Sequence, residues 1–321
     1  MKLDRRRVLA SLALAPALNL LAACSRQESE RVLLLLKTLD NPFFRDIDAG
    51  FRSKWSSMMA LDVRAGKNEA DVPGQRVILE SYLRANVRGR NKPILRGLVL
   101  TPSDSGDGLV PLLAEFRRAG IPLVLVDTAI SPEALKAAGT DYNVLLASDN
   151  LLGGRLAAKL VLDAMAGKKQ ANVLILNGVP ESDTAKQRRE GFLGVVQGSG
   201  FDLRERTGNW RRSEARTIVE SFRIAGQIPD AIFAANDEMA IGAIEALRQS
   251  KAALPYIVGF DATDEARLLV KQEILNATIA QSPKHMGERA AEVLADLVAG
   301  KASYVMRAEP VAVEVVTKAN A

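Results

Sequence analysis

The sequence has one cysteine, Cys24, and one histidine, His285, among its 321 residues. A single cysteine excludes an internal disulfide and any metal cluster built from several cysteines. A single histidine excludes a histidine-rich metal site and leaves His285 as the only candidate for a Ser-His-Asp triad. Because His285 lies early in the strongly helical segment SPKHMGERAAEVLADL, we expect a surface or partly packed side chain. We therefore predict no metal, no catalytic residue and no enzymatic activity.

Glycine patterns that bind nucleotide cofactors are also missing. The GSG at residues 198–200 lacks the third glycine of a dinucleotide loop and ends a helix instead of opening one. The AGKK near Gly167 lacks the upstream glycine and the following hydroxyl residue of a P-loop. We therefore predict no cofactor.

The chain carries little excess charge. It has 43 Lys and Arg against 38 Asp and Glu, a net charge of +5. Removing the four cations and one acid of residues 1–7 lowers this to +2, so the basicity comes mostly from the N-terminus. A balanced domain of this kind offers no basic footprint for nucleic acid. After residue 24, no apolar run approaches the length of a membrane span.

The first 24 residues have the order of an export signal. Three arginines at residues 5–7 precede the apolar run VLASLALAPALNLL, and LAAC follows at 21–24. LAAC resembles a bacterial lipobox, in which the cysteine is lipidated. We therefore predict that residues 1–24 are a lipoprotein signal peptide and that a lipid on Cys24 is the protein's sole anchor, holding it to a bacterial membrane in the periplasm. A buried cysteine in a short core helix is the alternative, and both Sec and twin-arginine export stay open.

Strand-like apolar runs alternate with amphipathic segments from residue 31 onward. RVLLLLK, ALDVRA, GLVLT, PLVLVD and VLLAS read as strands, and FFRDIDAGFRSKWSSMM is one of the helical segments between them. The alternation restarts after Ser148, with helices beginning near Asn150, Ser182, Ser213, Asn236 and Thr263. The pattern predicts an α/β protein with two similar lobes, each a doubly wound parallel sheet.

In such sheets, ligands bind at the carboxyl ends of the strands, where the connecting loops converge. The loops predicted there hold planar polar side chains and aromatic rings. Planar polar groups make paired hydrogen bonds to neighbouring hydroxyls, and aromatic faces suit the C–H faces of a sugar ring. The set predicts a small polyhydroxylated ligand; its members are Asn41, Phe43, Phe44, Asp127, Arg188 or Arg189, Trp210, Asn236, Asp261 and Gln281.

Several of these residues have a purely structural alternative. Asn236 precedes two acids at a strand-to-helix junction, as a helix N-cap does, and Asp261 has the position of a turn or cap residue. Phe43 and Phe44 fit a hydrophobic core, and Trp210 fits the cover of a hydrophobic edge. An exposed helix face would also explain the two arginines. Their joint occurrence at strand ends favours a binding site.

Several motifs resemble those of one family. TLDNPFF, SDNLLGGRLAA, QRREGF, AIFAANDEMAIGAIEAL, VGFDAT and ATIAQSP occur in the order and spacing of periplasmic sugar-binding proteins of the ribose-binding type, the type I solute receptors of ABC importers. The resemblance covers nearly all of residues 31–321. It implies a three-segment hinge, with residues 31–147 and 282–308 in the N-terminal lobe and residues 148–281 and 309–321 in the C-terminal lobe.

The resemblance also implies which residues bind the sugar, and the implied set agrees with the chemical one, with Arg188 as the arginine. The departures from the family lie in the N-terminal lobe. Thr128 stands where ribose-binding members usually have Arg, Thr101 replaces a common Asn, and Lys37 replaces a small hydroxyl residue. These three positions are candidates for altered specificity, which includes the possibility of an acidic substituent on the ligand.

The leading hypothesis is a monomeric, lipid-anchored receptor that captures a sugar or polyol between its lobes and delivers it to an ABC transporter permease. The alternative output is a sensory receptor that presents its closed state to a membrane histidine kinase or chemoreceptor. A sugar-responsive transcription regulator would need a DNA-binding head before residue 31, where this chain has a leader.

Overall fold

The computed structural model describes residues 29–56, 59–88, 94–168, 170–248 and 253–321. Cys24 and the rest of the predicted leader lie outside these ranges. The described chain forms two α/β lobes. Most of the first lobe comes from β1 (Arg31–Leu36), α1 (Pro42–Lys54), β2 (Ala60–Ala65), α2 (Val72–Tyr82) with a π-helical turn at Leu83–Val87, β3 (Leu95–Leu100), α3 (Val110–Arg118), β4 (Leu123–Val126), α4 (Pro132–Ala137) and β5 (Val144–Ser148).

The second lobe follows without a long linker, and the chain then returns to the first lobe before it ends. The remaining elements are α5 (Asn150–Ala164), β6 (Asn172–Asn177), α6 (Asp183–Val196), β7 (Asp202–Thr207), α7 (Arg212–Ile224), β8 (Ala231–Ala234), α8 (Asp237–Leu247), β9 (Tyr256–Asp261), α9 (Asp264–Lys271), β10 (Ala277–Ala280), α10 (Pro283–Val298), β11 (Arg307–Val311) and β12 (Glu314–Val316).

The two sheets have the same strand arrangement. The first sheet has the order β2-β1-β3-β4-β5-β11 and is entirely parallel. The second has the order β7-β6-β8-β9-β10-β12 and is parallel except for the last pair. The predicted fold class, two doubly wound parallel-sheet lobes, is confirmed. Within the described ranges, none of the helices has the length and apolar character that crossing a bilayer requires.

Strand β1 shows why the first sheet is covered on both faces. Its side chains alternate, so that Leu33 and Leu35 pack with Leu79 of α2 on one face. On the other face, Leu34 and Leu36 join a core that α1 and α10 cover. A strand that is buried on both faces reads as the continuous apolar run RVLLLL, which is typical of parallel sheets.

Helices α1 and α8 begin close after the carboxyl ends of β1 and β8, and polar side chains cap them there. The Asn41 side chain accepts a hydrogen bond from the Phe43 backbone N–H at 3.0 Å, and the Asn236 side chain accepts one from Met239 N–H at 2.9 Å. These caps turn the N-terminal ends of α1 and α8 towards the space between the lobes.

Two details differ from the sequence-based expectation. Helix α1 ends at Lys54, before the end of the predicted helical segment, because the chain turns at Trp55, whose ring stacks on Phe51 at 5.4 Å. The third crossover between the lobes lies between Val311 and Glu314, beyond the predicted boundary at 308/309, because β11 pairs with β5 along its whole length.

Candidate functional site

A cavity of about 20 Å³ lies between the two lobes, at the carboxyl ends of both sheets. All nine residues of the predicted ligand-binding set line it, as does Lys37, although they come from distant parts of the chain. This volume has room for about one water molecule, so the lobes must move apart to admit a larger ligand. The lining residues are Lys37, Asn41, Phe43, Phe44, Glu69, Asp127, Thr184, Arg188, Trp210, Asn236, Asp261 and Gln281.

The first lobe contributes an aromatic wall. Phe43 and Phe44 are packed edge to face, with ring centroids 5.2 Å apart. Both rings are buried in the core between β1, α1 and α10, and both line the cavity. The core interpretation and the ligand-wall interpretation of these residues are therefore compatible.

Lys37 is held by a buried pair of acceptors on the loop after β4. Its Nζ donates to Asp127 Oδ2 at 2.9 Å and to Thr128 Oγ1 at 2.7 Å. Burial would raise the pKa of Asp127, but the Lys37 charge and the hydrogen bonds from Lys37 and Thr128 outweigh it, so that the pKa lies below its usual range. The Thr128 hydroxyl accepts a hydrogen bond from Lys37 and donates one to Asp127 Oδ2 at 2.7 Å.

Thr101 does not line the cavity. Its buried hydroxyl accepts a hydrogen bond from the Lys37 backbone N–H at 2.8 Å. Thr128 does not line the cavity either; its hydroxyl contacts Lys37, Asp127 and, at 3.4 Å, the Thr184 hydroxyl. Of the three departures from the family, Lys37 alone faces the cavity, and the two threonines position it.

Arg188 is the central cation of the second lobe. Its side chain is 2% exposed and lies flat on Phe260, with the guanidinium carbon 3.7 Å from the ring centroid. Its Nε donates to Asn150 Oδ1 at 2.9 Å and its Nη1 to the Ala235 carbonyl at 2.6 Å. The neighbouring Arg189 instead forms an ion pair with Glu205 on the outside of the lobe.

The acceptors of the second lobe form a connected set. Asp261 Oδ1 accepts from Gln281 Nε2 at 2.6 Å and from Arg188 Nη1 at 3.4 Å. Gln281 is 7% exposed, and its Oε1 has no hydrogen-bond partner in the described part of the chain. A buried oxygen without a partner costs free energy unless a bound group donates to it. The cavity thus presents an unused acceptor to a ligand.

Asn236 has both of the roles that the sequence left open. Its Oδ1 caps helix α8, and its Nδ2 donates to the Trp210 carbonyl at 3.2 Å while the side chain lines the cavity. Asp261 is not a cap, because Thr263 occupies the N-cap of α9.

Backbone strain is concentrated at the cavity. Asp127, Trp210 and Asp261 have φ angles of 70°, 65° and 117°, a region that side chains other than glycine disfavour. Trp210 also depends on Gly178, where an added Cβ would lie 2.1 Å from the indole ring. Strained positions of this kind cluster at ligand sites, where the surrounding structure holds the side chains in place.

Two cavity residues were missed at the level of sequence, Glu69 and Thr184. Glu69 lies on the loop after β2, at a carboxyl strand end for which the sequence predicted no ligand-binding residue. Its Oε1 accepts from Asn41 Nδ2 at 2.9 Å, and burial raises the pKa of the carboxyl to about 7. The signal that could have found it is the acid in AGKNEAD, directly after a predicted strand.

Asp237 is a buried acid near Asp261 that does not itself line the cavity. Burial raises the pKa of both carboxyls above the usual range, and the proximity of Asp261 raises that of Asp237 further. Asp237 accepts hydrogen bonds from Thr263 and Thr278, which flank the strained Asp261 turn. Nowhere in the described ranges do three or more His, Cys, Asp or Glu side chains meet as a metal site requires.

Comparison with known proteins agrees with this architecture. A family model described as a periplasmic binding protein domain matches residues 32–302. The ribose import binding protein of Salmonella typhimurium is 30% identical over 300 residues, covering 91% of this chain and 93% of that protein. The D-allose-binding periplasmic protein of Escherichia coli is 26% identical over 87% of this chain and 88% of its own length.

Solved structures show the same likeness. An ABC transporter periplasmic solute binding protein from Actinobacillus succinogenes, with bound D-allose, has a TM-score of 0.79 and 28% identity, over 90% of this chain and 98% of that one. These relatives are ligand-binding transport proteins and not enzymes. The chain belongs to the periplasmic binding protein family.

Proposed function

We propose that this protein is a monomeric periplasmic receptor that binds a monosaccharide or small polyol between its lobes and delivers it to the permease of an ABC importer. The observation that carries the proposal is the cavity itself, in which aromatic rings face planar polar groups and Gln281 Oε1 lacks a partner. Relatives named for ribose and allose support a sugar as the ligand. Asn41, Phe43, Phe44, Asp127, Arg188, Trp210, Asn236, Asp261 and Gln281 are the proposed contacts.

Closure of the lobes would trap the sugar. The chain crosses between the sheets at three places, after β5, after β10 and after β11. Across the cleft, the Ser105 hydroxyl accepts a hydrogen bond from the Asp183 backbone N–H at 2.9 Å. The three crossovers are the proposed hinge, and the closed shape is what a permease would recognise.

Sugar binding is tested by calorimetry and thermal unfolding of the mature protein with pentoses, hexoses and polyols, beginning with D-ribose and D-allose. A sugar at a hundred times its dissociation constant stabilises the fold by about 2.7 kcal/mol. Asp261→Ala should weaken binding at least about 100-fold, because Arg188 and Gln281 lose a charged partner in a buried site. Asp264→Ala, an exposed acid three residues on, is the matched control. Unchanged affinity in Asp261→Ala would refute the site assignment.

The proposed lipid anchor and the transport role share one experiment in cells. Cys24 lies outside the described residues, and the lipobox-like motif supports its lipidation. Cys24→Ser should move the protein from the membrane fraction to the soluble fraction without changing its sugar affinity. Deleting the chain should abolish uptake of the bound sugar at low concentration. Normal uptake with loss of a sugar-induced response would instead favour the sensory receptor.

A further inference from the structure

Three carboxylates face the cavity, but only two cations do. Lys37 Nζ pairs with Asp127 at 2.9 Å, and Arg188 Nη1 pairs with Asp261 at 3.4 Å. The third carboxylate is Glu69, and no Lys or Arg among the described residues comes within 4.0 Å of it. After these two ion pairs are formed, the cavity lining has one acidic side chain, Glu69, without a cationic partner.

Glu69 also has unused hydrogen-bonding capacity. Its Oε1 accepts from Asn41 Nδ2, and its Oε2 has no hydrogen-bond partner in the described ranges. Asn41 Oδ1 is already engaged in capping α1, so the amide is held in one orientation and in turn holds the carboxylate. The free oxygen is thus presented by a side chain of defined position.

The position of Glu69 is the mouth of the cavity. Together with Asn41 and Trp210, it lines both the central cavity and a larger outer groove. The outer groove runs between the loop after β2 and the start of α7, and its lining includes Thr38, Asp40, Lys67, Asn68, Arg211 and Ser213. A ligand group that points out of the cavity towards this groove would meet the Glu69 carboxylate.

Inside the central cavity, a ligand carboxylate would find both cations already paired, Lys37 with Asp127 and Arg188 with Asp261. Other cations, such as Lys67 and Arg216, lie farther out in the outer groove. The Lys37 ammonium, which at first suggested an acidic substituent, already contacts Asp127 and Thr128. Hydroxyl and ammonium groups, in contrast, donate hydrogen bonds that a carboxylate accepts well. Like charges brought together out of water repel strongly.

We propose that Glu69 is a specificity-determining residue, which accepts a hydrogen bond from a hydroxyl or ammonium group of the ligand at the cavity mouth and disfavours a ligand carboxylate placed beside it. The inference rests on the proposed function, since it requires a small polyhydroxylated ligand in this cavity.

The test compares D-ribose and D-allose with their 2-amino-2-deoxy and uronic acid derivatives by calorimetry at a pH of about 8.5, above the Glu69 pKa of about 7, so that Glu69 is ionised. Wild-type protein should bind the amino derivative of its sugar at least as tightly as the parent and the uronic acid at least about 100-fold more weakly. Glu69→Ala should weaken binding of the neutral sugar about 10- to 100-fold. Glu69→Gln should lower the ratio of the two dissociation constants, uronic acid to neutral sugar, at least about tenfold. A merely structural role of Glu69 would not change this ratio.

Asp40→Asn is the matched control, because Asp40 is an exposed acid of the outer groove that does not line the central cavity. It should leave both affinities within about twofold of wild type. The inference is overturned if Glu69→Ala binds the neutral sugar as wild type does, or if wild type binds the uronic acid as tightly as the neutral sugar.

Asp261→Ala separates the two proposals: if it loses sugar binding while Glu69 variants change nothing, the receptor function stands and the role of Glu69 fails. If wild type binds none of these sugars, both fail.

Discussion

Replacing Arg188 by methionine should abolish sugar binding and lower the free energy of unfolding by about 3–5 kcal/mol, the cost of breaking a buried ion pair by removing one partner. The guanidinium is 2% exposed and serves Asn150, the Ala235 carbonyl and Asp261 at once. Methionine keeps much of the packing against Phe260 but has no donor, so it leaves three buried acceptors without their partner. Urea unfolding measures the stability, and calorimetry with D-ribose and D-allose measures the binding.

Arg189→Met is the matched control for this experiment. Arg189 neighbours Arg188 on α6, but its ion pair with Glu205 lies at the surface, where such pairs contribute about 0–1 kcal/mol. Arg189→Met should change the free energy of unfolding by no more than about 1 kcal/mol. It should leave the sugar affinity unchanged. An Arg188→Met protein that still binds sugar within tenfold of wild type would contradict the central role of the guanidinium.

Replacing Lys37 by methionine should destabilise the protein by a similar amount at neutral pH, about 3–5 kcal/mol, because it leaves the Asp127 carboxylate buried without its counter-charge. The double variant Lys37→Met, Asp127→Asn should recover part of this loss, since it removes the unpaired charge as well. Urea unfolding of the two single variants and the double variant gives the coupling free energy between the two side chains.

The pH dependence identifies the cause of this loss. In the wild-type protein the pKa of Asp127 lies below its usual range, so its stabilising contribution is present above the unfolded-state pKa of about 3.9 and is lost as the pH falls through the folded-state pKa. Without Lys37, burial raises the folded-state pKa. The difference between wild type and Lys37→Met should therefore be large at neutral pH, shrink as the pH falls through the raised pKa of Asp127 in the variant, and shrink further below pH of about 4, where wild type loses its own contribution. A difference that does not vary with pH would exclude an electrostatic origin.

The residue types at the predicted strand ends were enough to predict much of the site. The reason is that a parallel sheet brings the carboxyl ends of its strands together. Trp210 and Gln281 could be placed in one cavity without knowing any distance. Whether a residue is structural or ligand-binding could not be decided in this way. Phe43 is both core and wall, and Asn236 is both cap and lining.

What escaped prediction depends on contacts between residues far apart in the chain. Lys37 and Asp127 are 90 positions apart, and only their pairing shows that a carboxylate already balances the charge of the lysine. Glu69 looked like an ordinary loop acid until the fold brought it beside Asn41. Residue spacing carries no information about which partner neutralises a charge.

The sequence alone determined the order of strands and helices, the two-lobed α/β class and the chemical type of the ligand-facing groups, because these follow from local hydrophobic periodicity and from residue identity. Only the tertiary structure decided how those groups are paired, which acid is left over and where the last crossover lies. Pairing is set by burial and by distances across the sheets and the cleft, and these distances exist only after the chain has folded.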